Sequence, residues 1–259
     1  MSDAVELSII VPAYNESGNL PPLLTELSQK RSAWRAEIVV VDDGSRDRTS
    51  DVARAHGAVV VRLEQNQGKG AAVRAGFAAA SGRYLVQIDA DRQFVTEEIE
   101  RLVDALRRGA DIVFGSRFIP GARLEPGSMV RTNRVAHAVI CAAGWLASGI
   151  RVRDVMAGFK AFRRESALAL DLCVPHFGYE AEILVRAGQL GLRVVEVPVT
   201  FRRRREGASN VRKLRDGCRV LTAIVRTAWS RRETAEHRAM TRAGHRIAKA
   251  ESLGACEES

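Results

Sequence analysis

The sequence predicts an α/β fold in which a mostly parallel central sheet is flanked by helices. Three observations predict it. Short apolar runs alternate with helical patterns from Val5 to Phe114. The runs are continuously apolar, as strands buried on both faces must be. Each run is joined to the next by enough chain for a helical crossover, which parallel pairing requires. A length of 259 residues suits one such domain with a C-terminal extension.

The elements follow in order. Val5–Val11 reads as the first buried strand. Leu20–Gln29 reads as a helix, with Asn19 as its cap and Pro21 and Pro22 in its first turn, where a missing N–H is harmless. Glu37–Val41 is a second strand, and Asp47–His56 a helix stopped by Gly57. Val59–Leu63 is a third strand, followed by a helix over Gly70–Ala80 and a fourth strand over Tyr84–Ile88. Thr96 is expected to cap the next helix, with Glu97 and Glu98 in the first turn, where the helix dipole favours acids. Ala110–Phe114 is a fifth strand.

After Gly115 the alternation breaks. Residues 116–128 carry Pro and Gly and read as a loop. Residues 131–149 form an apolar helix pattern, Phe159–Phe162 a short strand, Phe177–Leu190 a helix and Arg193–Phe201 another strand. From Val211 to Trp229, the residues Val211, Leu214, Cys218, Leu221, Val225 and Ala228 recur at steps of three and four. Arg212, Arg215, Arg219 and Arg226 fall on a neighbouring face, which makes a basic amphipathic helix. The expected organisation is a catalytic-type α/β domain over 1–210, the basic helix over 211–232 and a disordered tail over 233–259.

The formal net charge is +9, and its location is informative. Between Arg202 and Arg232 stand eleven Lys and Arg against Glu206 and Asp216, so this stripe carries the whole excess. Its partner is an anion: nucleic acid, a membrane surface or a phosphorylated substrate. Cys141, Cys173, Cys218 and Cys256 are far apart, with no C-x-x-C, and read as reduced, packed thiols. The N-terminus lacks a positive region before its apolar run, so a signal peptide is not expected. The longest apolar stretch, Val135–Ile150, contains His137 and falls short of the roughly 18 residues a spanning helix needs. A cytoplasmic location is expected, with peripheral contact to a membrane through residues 211–232.

Ligands of parallel sheets bind at the carboxyl ends of the strands. Pro12, Ala13, Tyr14, Asn15 and Glu16 follow the first strand, Asp42, Asp43, Gly44 and Ser45 the second, and Asp89, Ala90 and Asp91 the fourth. Three acidic strand ends call for a cationic or hydrogen-donating partner. In an extended segment Asp89 and Asp91 point the same way. Such a pair suits Mg²⁺ or Mn²⁺, which take oxygen ligands and bind substrate phosphates alongside. Gly68-Lys69-Gly70 precedes a helix but lacks the P-loop spacing, although a helix N-terminus still attracts phosphate. No G-x-G-x-x-G follows the first strand, which argues against a dinucleotide-binding dehydrogenase.

These motifs together resemble glycosyltransferase family 2, and within it the dolichyl- or polyprenyl-phosphate mannose synthases. The matching stretches are Val11–Glu16, Val41–Ser45, Gly68–Gly70, Asp89–Gln93, Gly115-Ser116-Arg117, Gly158–Phe162, and Arg204 with Gly207 and Ser209. They run in family order from residue 8 to about 215. The resemblance implies a GT-A fold and inverting, metal-dependent transfer. Pro12, Tyr14, Glu16 and Asp43 would hold the nucleoside, with Lys69 and Ala90 beside the nucleotide sugar. Asp89, Asp91 and Gln93 would hold Mg²⁺ or Mn²⁺, with Asp91 counted as catalytic. Arg117 and Arg204 would neutralise phosphate. Glu180 and Glu182 stand where hydroxyl-transferring relatives place a general base, and Asp154 begins a stretch near the acceptor. Two positions depart from the family: Asn210 replaces a common Lys, and Arg92 a common Leu.

Three functions are compatible with these features. The favoured one moves a hexose, with GDP-mannose as first donor, to a polyprenyl or dolichyl phosphate. The second uses a UDP-sugar and a small soluble hydroxyl acceptor. The third is a catalytically inactive nucleic-acid or membrane-binding module. It is disfavoured because acidic strand ends repel phosphate, and no nucleic-acid partner is expected.

Overall fold

The computed structural model describes residues 5–128, 132–203 and 217–230, without the side chains of 132–134. The strands β1 (Leu7–Ala13), β2 (Ala36–Asp42), β3 (Val59–Arg62) and β4 (Tyr84–Gln87) alternate with α1 (Leu20–Lys30), α2 (Thr49–Ala55) and α3 (Lys69–Ala79). Then come α4 (Ile99–Arg107), β5 (Ile112–Ser116), β6 (Arg123–Leu124), α5 (Thr132–Ser148), β7 (Lys160–Arg163), α6 (Arg164–Ala169), α7 (Tyr179–Leu190), β8 (Val194–Pro198) and β9 (Thr200–Phe201). A last helix, α8, spans 217–230.

Seven strands form one sheet in the order β3-β2-β1-β4-β7-β5-β8. All neighbours are parallel except β7, which runs against both β4 and β5. Lys160 therefore pairs with Gln87, and Arg163 with Tyr84. The reversed strand thus enters at the carboxyl end of β4, beside the Asp89 turn. β6 and β9 pair separately, so the loop expected over 116–128 carries a short strand.

Every residue of β1 is buried. Alternate residues point to opposite faces, so Ile9 and Val11 join the core against α1 and α4, while Ile10 joins the core of α3 and α7. Gly76 lets α3 close on the sheet, since a Cβ there would lie 2.4 Å from Ile10 Cγ2.

Several expectations are corrected. Asn19 occupies the N-cap of α1 without a capping bond, and its side chain donates instead to Glu16 Oε2 at 2.6 Å. Thr96 begins a 3₁₀ turn, Glu98 stands at the N-cap of α4, and the Thr96 hydroxyl goes to Glu26 and Glu97. α6 was unforeseen, because its pattern is too short to read. On α8 the buried positions are Val220, Ala223, Ile224 and Thr227. Val225, expected inward, is 63% exposed. The three- and four-residue steps fit two adjacent faces, and Gly178 decides between them: a Cβ there would lie 3.0 Å from Ala223 Cβ. Arg204 and the rest of its motif, the first turns of the expected basic helix, and the tail from 231 onward lie outside the described residues.

Candidate active site

The loops after β1 and β2 are clipped together. Asn15 N donates to Ser45 Oγ at 2.9 Å, Arg46 N to Asn15 Oδ1 at 2.9 Å, and Glu16 N to Thr49 Oγ1 at 3.0 Å. Pro12 is buried within β1, and Tyr14 is half-buried at its mouth.

Asp42 and Asp43 face different partners. Burial alone would raise the Asp42 carboxyl, but bonds from Ser45 and Ser50 and the charge of Arg62 hold it below the usual range. The Arg62 contact is 2.6 Å. Asp43 accepts from Gln67 N at 2.7 Å, Gly68 N at 2.8 Å and Asn66 Nδ2 at 3.0 Å. Burial pushes its carboxyl up despite those bonds. Asp43 thereby pins the turn that presents Lys69 at the start of α3.

Lys69 Nζ straddles the Asp89 carboxylate, 2.7 Å from Oδ1 and 2.9 Å from Oδ2, and lies 3.9 Å from Glu180 Oε1. Burial opposes its charge, but Asp89 and Glu180 outweigh that and raise its pKa. The carboxylate lies against Gly158, where a Cβ would come within 2.0 Å of Oδ2. β4 ends at Gln87, so Ala90–Asp91 is a turn and the extended alternation expected for Asp89 and Asp91 does not hold. Asp91 is 8% exposed, and its Oδ1 accepts from Gln93 N at 3.1 Å. Arg92 takes a left-handed φ of 58° and binds Glu26 on α1 at 2.6 Å, which keeps its charge on α1. Gln93 Nε2 donates to Arg202 O at 3.1 Å, tying the turn to the segment that leads toward Arg204. Among the described residues, no three His, Cys, Asp or Glu converge as a metal cage.

The two glutamates of α7 are separated. Glu182 is fully buried and accepts from Val174 N at 2.8 Å, Cys173 N at 3.0 Å and Arg186 Nε at 3.2 Å. It organises the 173–174 segment, and its full burial keeps it from acting as the general base that the sequence offered. Glu180, one residue in from the start of α7, stays beside Lys69.

Arg117 and Asp154 form a buried fork. Arg117 N, Nε and Nη2 reach Asp154 at 2.9, 2.7 and 2.8 Å. The guanidinium also stacks on Phe201, 4.8 Å from the ring centre. Burial works against both charges, yet their mutual attraction raises Arg117 and lowers Asp154. His137 Nε2 lies 3.4 Å from Asp154 Oδ1, but burial lowers its pKa despite that carboxylate. Beside the fork opens a groove of about 790 Å³. Phe118, Ile119, Leu124, Ala138 and Trp145 line it together with Arg117, Arg151 and Arg153.

Sequence reasoning gave no role to Lys160 or Gly158. Lys160 is fully buried, donates to Ala157 O and lies 4.9 Å from the Phe114 ring centre. Burial, offset in part by Glu180, pushes its pKa down to about 8. The available signal was a lone Lys among Phe159, Ala161 and Phe162 in a core strand.

The profile of glycosyl transferase family 2 matches residues 8–170. The chain belongs to that family. It is a glycosyltransferase with a GT-A fold. It is 34% identical over 212 residues to a dolichol-phosphate mannosyltransferase of Pyrococcus furiosus, covering 80% of this chain and 60% of that one. This chain therefore spans three fifths of that relative's length. It is 37% identical over 225 residues to a dolichyl-phosphate beta-glucosyltransferase of Drosophila melanogaster, covering 77% of this chain and 68% of that one. In fold it is similar to glucosyl-3-phosphoglycerate synthase of Mycobacterium tuberculosis, crystallised with Mn²⁺, UDP-glucose and phosphoglyceric acid. That likeness has a TM-score of 0.67 at 24% identity, covering 86% of this chain and 79% of that one.

Proposed function

We propose that this glycosyltransferase moves a hexose from a nucleotide sugar to a polyprenyl phosphate, with inversion. GDP-mannose is the first donor to test and UDP-glucose the second. The groove beside Arg117 carries the acceptor reading. Its apolar walls suit an isoprenoid chain, and its arginines suit the phosphate head. Arg117 Nε and Nη2 donate to Asp154, and the residue also lines the groove, where an incoming anion would meet it. The relatives named for dolichyl phosphate support the same acceptor class.

In the reaction a phosphate oxygen of the acceptor attacks the anomeric carbon, and the nucleoside diphosphate leaves with the electrons of the broken C–O bond. A phosphate acceptor is already an anion and needs no general base. That agrees with Glu182 being engaged in the fold and Glu180 lying beside Lys69. Asp43 sets the loop below the donor, and Lys69 and Arg117 supply positive charge near the diphosphate.

The oxygen donors of Asp89, Asp91 and Gln93 fit a hard divalent cation, with the substrate's phosphates completing its shell. Gln93 Nε2 donates to Arg202 O, and its Oε1 would be the atom offered to the cation. When bound, Mg²⁺ or Mn²⁺ would neutralise charge on the leaving diphosphate.

A polyprenyl phosphate has to be reached at a bilayer. No described helix is long and apolar enough to cross a membrane. However, α5 exposes Val139, Trp145 and Leu146, the last by 82%, and α8 exposes Val225 and Trp229. Together with Arg219 and Arg226 on α8, these side chains suit shallow contact with an anionic surface.

The test is transfer of labelled hexose with each donor to a short-chain polyprenyl phosphate or to a soluble phosphorylated acceptor. An organic-extractable product with the lipid is expected. Transfer only to the soluble compound would overturn the acceptor assignment.

A further inference from the structure

Lys160 opens β7, and none of its side chain reaches solvent. Ammonium groups are rarely buried so completely unless something holds the charge. Its sequence neighbours Phe159, Ala161 and Phe162 are packed core. The ammonium reaches the carbonyl of Ala157, and the face of Phe114 lies 4.9 Å away.

That carbonyl belongs to the peptide leading into Gly158. Gly158 is the surface against which the Asp89 carboxylate lies: a Cβ there would stand 2.0 Å from Oδ2 and 2.4 Å from Oδ1. The next peptide is held as well. Gln87 Nε2 lies 3.4 Å from Gly158 O and 2.7 Å from the buried Tyr179 hydroxyl. Two buried side chains, one on β7 and one on β4, therefore grip the backbone on either side of Gly158. The Lys160 bond is the charge-assisted one of the two, and such bonds are the stronger kind.

We propose that Lys160 is a positioning residue for Asp89, holding the Ala157–Gly158 peptide on which that carboxylate rests. The proposal rests on the reading of Asp89 as part of a metal and diphosphate site. Lys160 does not touch substrate. It acts as supporting groups do at other ligand sites, by fixing the orientation of a group that binds.

The experiment is calorimetric titration with GDP or UDP, with and without Mn²⁺, on wild type, Lys160→Met, Gly158→Ala and the double variant. Wild type is expected to bind nucleotide more tightly with Mn²⁺. Lys160→Met should keep its circular dichroism and cooperative melt, yet lose about ten- to a hundredfold in Mn²⁺-dependent affinity. Its metal-independent nucleotide affinity should not change. Because both single changes act through one peptide, the double variant should bind about as weakly as Gly158→Ala alone. Wild-type affinity in Lys160→Met, or losses that add in the double variant, would overturn the proposal. Lys160→Leu also removes the donor to Ala157 O and is read in the same way if the Met variant does not fold. Failure of both to fold would assign Lys160 to the fold and also overturn it. Absence of any Mn²⁺ effect in wild type would instead sink the donor-site reading, and the positioning role with it.

Discussion

Replacing Asp154 with Asn removes the only acid bonded to the Arg117 guanidinium among the described residues. The pair is deeply set: the Asp154 side chain is 0% and that of Arg117 11% exposed. Three N–H groups converge on the carboxylate at 2.7 to 2.9 Å. An Asn carbonyl can accept from some of them, but its NH₂ meets the others donor to donor, and a buried cation stays unpaired. Breaking one side of a buried pair costs about 3–5 kcal/mol. At roughly 2–4 °C per kcal/mol for a domain of this size, the melting temperature should fall by about 6–20 °C. Urea unfolding at pH 7 measures the loss directly, provided the m-value is unchanged. The pH dependence has a definite sign. The Asp154 carboxyl is lowered in the folded state because Arg117 outweighs the effect of burial. Its stabilisation is therefore present above the unfolded pKa of about 3.9 and disappears as pH falls through the lower folded value. Wild type should lose this contribution on acidification, and Asp154→Asn should not. A loss below about 1 kcal/mol at pH 7, typical of an exposed pair, would refute the buried-fork argument.

Two further changes test neighbouring claims. Glu182→Ala leaves the backbone N–H groups of Cys173 and Val174 without their acceptor, so a loss of at least about 2 kcal/mol in a urea melt is expected. Glu180→Gln removes a charge 3.9 Å from Lys69, which Asp89 still pairs, so its loss should be smaller, and equal losses for the two would contradict their separation. Gly76→Ala places a methyl 2.4 Å from Ile10 Cγ2 and 3.1 Å from Val41 Cγ2, both in packed core. Overpacking of about 1–3 kcal/mol should exceed the gain in helix propensity of up to about 1 kcal/mol, and a variant as stable as wild type would show that α3 can shift.

The strands through β5 were legible because continuous apolar runs and helical periods encode the parallel sheet. The direction of β7 was not, because Lys160–Arg163 carries no mark of strand polarity, and its pairing with Gln87 is a long-range fact. The acidic strand ends were legible as a group, since ligand position in a parallel sheet follows from topology. Their individual geometry was not. Asp91 sits in a turn, Asp43 bonds to the 66–68 loop, and Glu182 serves the 173–174 segment. Each depends on residues distant from it in sequence or on backbone shape that side-chain identity does not encode. The inward face of α8 was misjudged for a similar reason: close approach to Gly178 selects Val220, Ala223 and Ile224 over an equally periodic alternative.

The proposed site of the nucleotide sugar and its divalent cation lies around Asp43, Lys69, Asp89 and Asp91. A thermal-shift panel of GDP-mannose and UDP-glucose, each with and without Mn²⁺, tests it on wild type and Asp91→Ala, since a ligand of the native state raises stability by mass action. A Mn²⁺-dependent rise with one of the donors is expected in wild type and should be lost in Asp91→Ala. An equal rise in both proteins, or none at donor concentrations well above millimolar, would contradict it.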